Sequence, residues 1–199
     1  MESIATLPTI IDTAWQLLFR GAVQKKDPLH SATIGTHLNG QVYLRTVILR
    51  QTDIAARQLC FYTDYRSDKV QQLNANPNIS WLFYHPKKNI QISAKGMVTI
   101  HHQNELTLEK WKDLPTYGRK TYGTTLPPST RLATDSDNLP SSWKAKTITL
   151  ESTEYAYANF AVVTCKIQQL EWLHLQRSGH QRANFIFEDE IWKGEWMVP

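Results

Sequence analysis

Cysteine is scarce in this chain of 199 residues: there are two, Cys60 and Cys165, each inside an apolar run and without Cys-x-x-Cys spacing. That excludes a disulfide scaffold or a cysteine-based zinc site, and both read as buried free thiols. Long apolar runs are missing too. Each is broken within a few residues by a charge or by Gln or His, short of the roughly 20 residues that a membrane-crossing helix needs. Met1 to Pro8 has neither the basic start nor the apolar stretch of a secretory signal, so a cytoplasmic location is expected. No Gly-x-Gly-x-x-Gly and no Gly-x-x-x-x-Gly-Lys-Ser/Thr occurs, which excludes nucleotide binding through those motifs. Charge of one sign is not in excess either: 22 Lys and Arg against 18 Asp and Glu give a net +4, which permits an anionic ligand and demands nothing.

What is present is a globular composition, 41% hydrophobic and 20% charged, with 7 Trp, 8 Tyr and 6 Phe spread over the whole length. Rings at strand spacing pack a core by default, although Trp81, Trp192 and Trp196 also allow a stacking platform for single-stranded nucleic acid. Apolar positions Ile10, Ile11, Ala14, Leu17, Leu18 and Ala22 recur at helical spacing and predict a first helix, ended by Lys25-Lys26-Asp27-Pro28. Strands are predicted at 31–38 and 41–50, joined at Asn39-Gly40, the dipeptide best suited to a tight hairpin. Further strands are expected at 58–63, 79–84, 90–100, 160–165, 166–175, 182–187 and 191–198, with helices around Val70 and Leu73 and over 104–114. Residues 116–142 are rich in turn formers and read as a long, mobile loop. Successive hairpins with few intervening helices predict an α+β fold, mainly β, an antiparallel barrel with flanking helices in one domain over 1–199.

One constellation rises above this background. Arg45-Thr46-Val47-Ile48-Leu49-Arg50 ends one strand, Tyr62-Thr63-Asp64-Tyr65-Arg66-Ser67-Asp68-Lys69 ends another, and Gln91 opens a third. A phosphate monoester carries close to two negative charges, which Arg45, Arg66, Ser67 and Lys69 could satisfy together. Ser67 to Lys69 also opens a helix, whose free N–H groups favour an anion. Charge alone leaves open that these are solvated strand and helix ends. His85, His101 and His102 have no partners at metal-ligand spacing, so no metal site is expected.

With these motifs in order, the sequence resembles the pyridoxamine phosphate oxidase-like, FMN-binding split-barrel flavoproteins, in a branch with the pattern Arg-Thr-Val…Thr-Asp-x-Arg-Ser-x-Lys. The resemblance extends through Asn76-Pro77, Phe83-Tyr84, Gln91 with Gly96, Trp111 with Pro115, and His180-Gln181-Arg182 closing on Trp196 to Pro199. It implies FMN bound at the interface of a homodimer. Arg45 and Lys69 match phosphate contacts, the 45–50 backbone (Arg45, Thr46, Val47, Ile48, Leu49, Arg50) would lie along the flavin, and Tyr62 and Thr63 match strand-end flavin contacts. Gln91 matches an amide that reaches the cofactor, Arg182 an arginine near the ring, and Arg50 and His180 the substrate side. Where the oxidase has Arg-Leu-His, this chain has Ser178-Gly179-His180, so an arginine that grips substrate is missing; Leu173 beside Trp172 stands at the flavin-side tryptophan. The resemblance thus implies an FMN-dependent oxidoreductase acting on a small molecule. The alternatives are a flavin-binding or flavin-sensing protein without turnover, or a nucleic-acid-binding barrel.

Overall fold

The computed structural model describes residues 6–145 and 148–199; the amino-terminal Met1 to Ala5, read above for a signal, lie outside them. Helix α1 (Leu7–Val23) starts at Thr6, whose hydroxyl and backbone exchange hydrogen bonds with Thr9, and carries Pro8 in its first turn, where a missing N–H costs nothing. Its apolar stripe, Ile10, Ile11, Ala14, Trp15, Leu17 and Leu18, is buried. After a 3-10 turn at Pro28–His30, strands β1 (Ser31–Leu38) and β2 (Gln41–Ile48) form the expected hairpin, with Asn39 and Gly40 at φ of 50° and 78°. The chain continues through β3 (Gln51–Asp53), β4 (Gln58–Asp64), α2 (Asp68–Ala75), β5 (Asn78–His85), β6 (Ile90–His102) and α3 (Glu105–Lys112). Short helices α4 (Thr116–Lys120), α5 (Ser141–Ala145) and α6 (Leu150–Thr153) precede β7 (Phe160–His174), β8 (Gln181–Glu188) and β9 (Ile191–Met197).

Every described strand pair is antiparallel, in the order β2-β1-β5-β6-β7-β4-β3, with β8 and β9 added beyond β7. The fold is mainly antiparallel sheet with flanking helices, as expected. The two runs 160–165 and 166–175 are one strand, β7. Its first half pairs with β4 and its second half with β8, while β6 follows it on the other side. Residues 41–50 behave in the opposite way. β2 stops at Ile48, Leu49 is fully buried with its N–H on His30, and the Arg50 N–H crosses to the Cys60 carbonyl. That step ties the free edge of β2 to β4. Where β6 bends, the ladder slips between Lys95 and Gly96, and a Cβ at Gly96 would lie 2.2 Å from the Lys166 carbonyl oxygen. Only glycine allows that approach.

The main core fills the space between the sheet and α1, around Leu18, Ile34, Leu49, Phe61, Trp81, Phe83 and Phe185. A second cluster, with Cys60, Trp111, Tyr122, Phe160 and Val162, lies on the other face of β4 and β7 under α3. Segment 116–142 therefore begins as packed structure: Thr116–Lys120 is helical, and Arg119 and Tyr122 are buried. The reason is the aromatic cluster, which periodicity could not reveal because Tyr122 reaches it singly. No helix among the described residues is long and apolar enough to cross a membrane, and no group of three His, Cys, Asp or Glu gathers there.

Candidate functional site

Strand β2 alternates Val42, Leu44 and Thr46 outward with Arg45 and Val47 inward, because Arg45 stands opposite Ile34 and Val47 opposite Ala32. Arg45 thus reaches the barrel mouth. Its guanidinium donates to the Thr36 hydroxyl and, at 2.8 Å, to Gln72 Oε1, and Thr36 donates to the same Gln72 oxygen at 2.5 Å. Thr36 and Gln72 are both buried. Sequence reasoning passed over them, yet each had a signal: a polar residue on the inward row Ala32-Ile34-Thr36, and an amide beside Leu73 on the buried face of α2.

The end of β4 supplies the other cation. Lys69 Nζ donates to the hydroxyls of Thr63 (3.0 Å) and Ser67 (3.2 Å), and Ser67 Oγ donates to the Asp64 carbonyl at 2.6 Å. Ser67 is the N-cap residue of α2, but its hydroxyl is committed elsewhere and caps no helical N–H. The first amides of α2 are left for another acceptor. Burial lowers the Lys69 pKa, and the neighbouring Arg45 guanidinium lowers it further, against Asp64 and Asp68. Burial also lowers that of Arg45, partly offset by Asp68. Among the described residues neither cation has a carboxylate within salt-bridge distance. Two adjacent, partly desolvated cations held by neutral oxygens suit a dianionic group.

Arg66 has a different place. Its Nε and Nη2 grip Asp64 at 3.0 and 2.7 Å, and its remaining donors reach the Thr124 carbonyl (3.1 Å) and hydroxyl (3.0 Å). Arg50 lies over the Tyr62 ring, 5.4 Å from its centroid, and Tyr62 packs edge-on against Phe160. Burial pushes the Tyr62 phenol up to about 12 and raises that of Tyr122, another residue missed from sequence.

Gln91 and Arg182 form a second group. Tyr84, Gln91, Leu173, Arg182 and Met197 occupy one cross-strand row over β5, β6, β7, β8 and β9. The row lies on the outward face, since the neighbouring row Phe83-Ile92-Trp172-Ala183 is buried. Arg182 Nη2 pairs with Glu171 at 3.0 Å, while its Nε is buried with no partner among the described residues. Exposed His180 lies two residues from Arg182, its Nδ1 accepting the Gln176 N–H at 3.1 Å. The ring's proton is then on Nε2 when it is neutral. Of the expected site residues, the structure joins Arg45, Thr63, Ser67 and Lys69, places Thr46, Val47 and Ile48 on β2, Leu49 and Arg50 just beyond it and Tyr62 on β4, commits Arg66 to Asp64 and Thr124, and sets Gln91, Arg182 and His180 apart. Thr63 pairs with Ala161 and Arg182 with Leu173, twelve residues along β7, or about 40 Å of extended strand.

Residues 12–102 match the profile of the FMN-binding domain of pyridoxamine 5'-phosphate oxidase. A pyridoxine/pyridoxamine 5'-phosphate oxidase of Psychrobacter cryohalolentis is 32% identical over 98 residues, 49% of this chain and 44% of that protein. The chain spans less than half the length of the curated relatives it matches. Among solved structures, a pyridoxamine 5'-phosphate oxidase-related, FMN-binding protein of Nostoc punctiforme superimposes with a TM-score of 0.75, at 20% identity over 99% of both chains. PhzG of Burkholderia lata, solved with tetrahydrophenazine-1-carboxylic acid, gives 0.70 at 14% identity over 100% of this chain and 95% of that one. Both likenesses are of fold.

Proposed function

We propose that this chain, whose residues 12–102 match the FMN-binding domain of pyridoxamine 5'-phosphate oxidase, is an FMN-dependent oxidoreductase of that split-barrel family acting as a homodimer on a small molecule. The observation that carries the reading is the Arg45–Lys69 pair: two half-buried cations, no carboxylate within salt-bridge distance among the described residues, and an uncapped helix start beside them. These features fit the phosphate of FMN. Arg45 and Lys69 would hold it, with Thr63 and Ser67 orienting the lysine, and the 45–50 backbone and Tyr62 would flank the rest. Bound FMN supplies the electron chemistry.

The separation of the two groups supports a two-chain site. Arg45 faces the barrel mouth while Gln91 and Arg182 face outward, so one chain does not present both to one ligand. The outward face also carries Val42, Leu44, Leu82, Tyr84 and Met197, each at least 40% exposed. A second copy covering that apolar face would bring its own Gln91 and Arg182 to the first chain's phosphate site. Arg182 would then stand near the cofactor, where its charge would favour negative charge gathered there on reduction. His180 Nε2–H and Arg50 would stand on the substrate side. Two buried free thiols support a cytoplasmic setting.

Pyridoxamine phosphate should be a poor substrate, because Ser178-Gly179 forms a bare turn where the oxidase grips substrate with arginine, and Arg177 beside it is exposed. The experiment is a visible spectrum of the purified protein, followed by titration of apoprotein with FMN and riboflavin. Stoichiometric FMN binding, much tighter than riboflavin binding, is expected. A colourless protein with no affinity for FMN would overturn the reading. Pyridoxal phosphate formation at ordinary enzymatic rates would reassign the substrate.

A further inference from the structure

The 116–125 segment and the phosphate cluster are joined through one side chain. Arg66 spends both faces of its guanidinium: two donors on the carboxylate of Asp64, and two on the carbonyl and hydroxyl of Thr124. Its own backbone N–H also donates to Asp64 Oδ1, at 2.8 Å. Asp64 is buried, and its carbonyl receives the Ser67 hydroxyl that in turn receives Lys69. The same short turn therefore holds the lysine on one side and the distant segment on the other.

That segment has three further anchors. Arg119 is buried over the Trp111 ring, donates to the Leu114 carbonyl at 3.1 Å and forms an ion pair with Glu154. Asn159 donates to the Tyr122 carbonyl at 2.8 Å, and the Tyr155 hydroxyl donates to the Gly123 carbonyl at 2.6 Å. All four fix the stretch that carries Tyr122. The Tyr122 ring is wedged edge-on against Phe160, and it lies close enough to Arg50 and Tyr62 for their charges to act on its phenol. Its hydroxyl makes no hydrogen bond with the described residues, and neither does that of Tyr62 or the Arg50 guanidinium. Three polar groups without hydrogen-bond partners among the described residues thus converge beside the strand ends that the proposed function assigns to the flavin.

The geometry points to Arg66 as a positioning residue, not a phosphate ligand: it latches the 116–125 segment to the phosphate turn so that Tyr122 walls the substrate side of the site next to Arg50 and Tyr62. Its charge is already matched by Asp64, so adding a phosphate to it gains little, whereas Arg45 and Lys69 have no such match. Losing it would loosen the segment, which its three other anchors still hold, and leave the phosphate contacts standing. The inference rests on the FMN reading for the identity of the ligand, but the latch itself does not.

The test compares wild type with the double variant Asp64→Asn/Arg66→Gln, which removes both charges together and avoids a buried, unpaired carboxylate, and with Thr124→Ala, which removes only the hydroxyl acceptor. Hydrogen exchange is followed at the amides of Tyr122, Gly123 and Thr125, which are bonded to the carbonyls of Arg119, Lys120 and Asn138. FMN and riboflavin affinities are measured alongside, with iodide quenching of bound flavin fluorescence. In the double variant these amides should exchange at least about tenfold faster and bound flavin should quench more readily, while the FMN-to-riboflavin affinity ratio stays within about threefold; Thr124→Ala should shift exchange in the same direction, by less. A ratio that collapses tenfold or more would make Arg66 a phosphate ligand and overturn the proposal, as would unchanged exchange in both variants. A wild-type protein that binds no FMN would instead sink the flavin reading, with the exchange data still reporting on the latch.

Discussion

Arg45 approaches Lys69 closely enough to disfavour its charge, yet the two are steadied by Thr36, Gln72, Thr63 and Ser67 and not by an acid. Such an arrangement costs stability in the free protein and returns it when an anion arrives. Arg45→Ala or Lys69→Ala should each weaken FMN by about 1.5–3 kcal/mol, the range for a hydrogen bond to a charged group. Riboflavin, lacking the phosphate, should be little affected. Calorimetric titration checks both, with Lys87→Ala in the exposed turn before β6 as a control that should change nothing.

The depressed pKa of Lys69 gives the site a pH dependence of definite sign. Phosphate favours the ammonium, so FMN affinity should fall as pH rises through the lowered value, at a pH below the ordinary lysine value of 10.5. The unliganded protein should behave oppositely. Between the lowered value and 10.5 the unfolded chain holds a proton that the folded one has lost, so stability from this group rises with pH across that window. Lys69→Met should flatten both trends, measured by FMN titration and by urea unfolding of apoprotein over an alkaline series.

The outward face offers a direct test of assembly. Leu82 is 42% exposed on that face, two residues from Tyr84 in the Gln91 row. Leu82→Arg should turn a dimer into a monomer by light scattering at micromolar concentration, and should weaken FMN together with it because Gln91 and Arg182 of the second copy are lost. A variant that is monomeric and binds FMN as tightly as wild type would contradict the two-chain site.

Cys60 and Cys165 are near neighbours across the β4–β7 ladder, but one faces the Trp111 cluster and the other the main core. They cannot pair, and burial pushes each thiol up to about 12. At pH 8 the thiolate is then on the order of one part in ten thousand. Neither should react with iodoacetamide in the folded protein over hours, and both should react in denaturant, as mass spectrometry would show.

Local sequence determined what depends on near neighbours. Asn39-Gly40 dictated a hairpin because few other residues accept its backbone angles, and the spacing of Ile10 to Leu18 dictated an amphipathic helix because one stripe had to be buried. The ordered motifs around Arg45, Thr63, Lys69, Gln91 and Arg182 were legible as a family resemblance, because each is a short run of adjacent residues. Other features depended on contacts between distant segments, and only the tertiary structure decided them. Alternation along β2 shows that Arg45 points inward, but not that Thr36 and Gln72 await it. Arg66 reads as one more cation until Asp64 and Thr124 are seen to occupy it. Tyr122, in a stretch of turn formers, reads as loop, because the rings that bury it come from 111 and 160. The separation of Gln91 and Arg182 from Lys69 is set by the register of a fifteen-residue strand shared between two ladders, which no local pattern encodes.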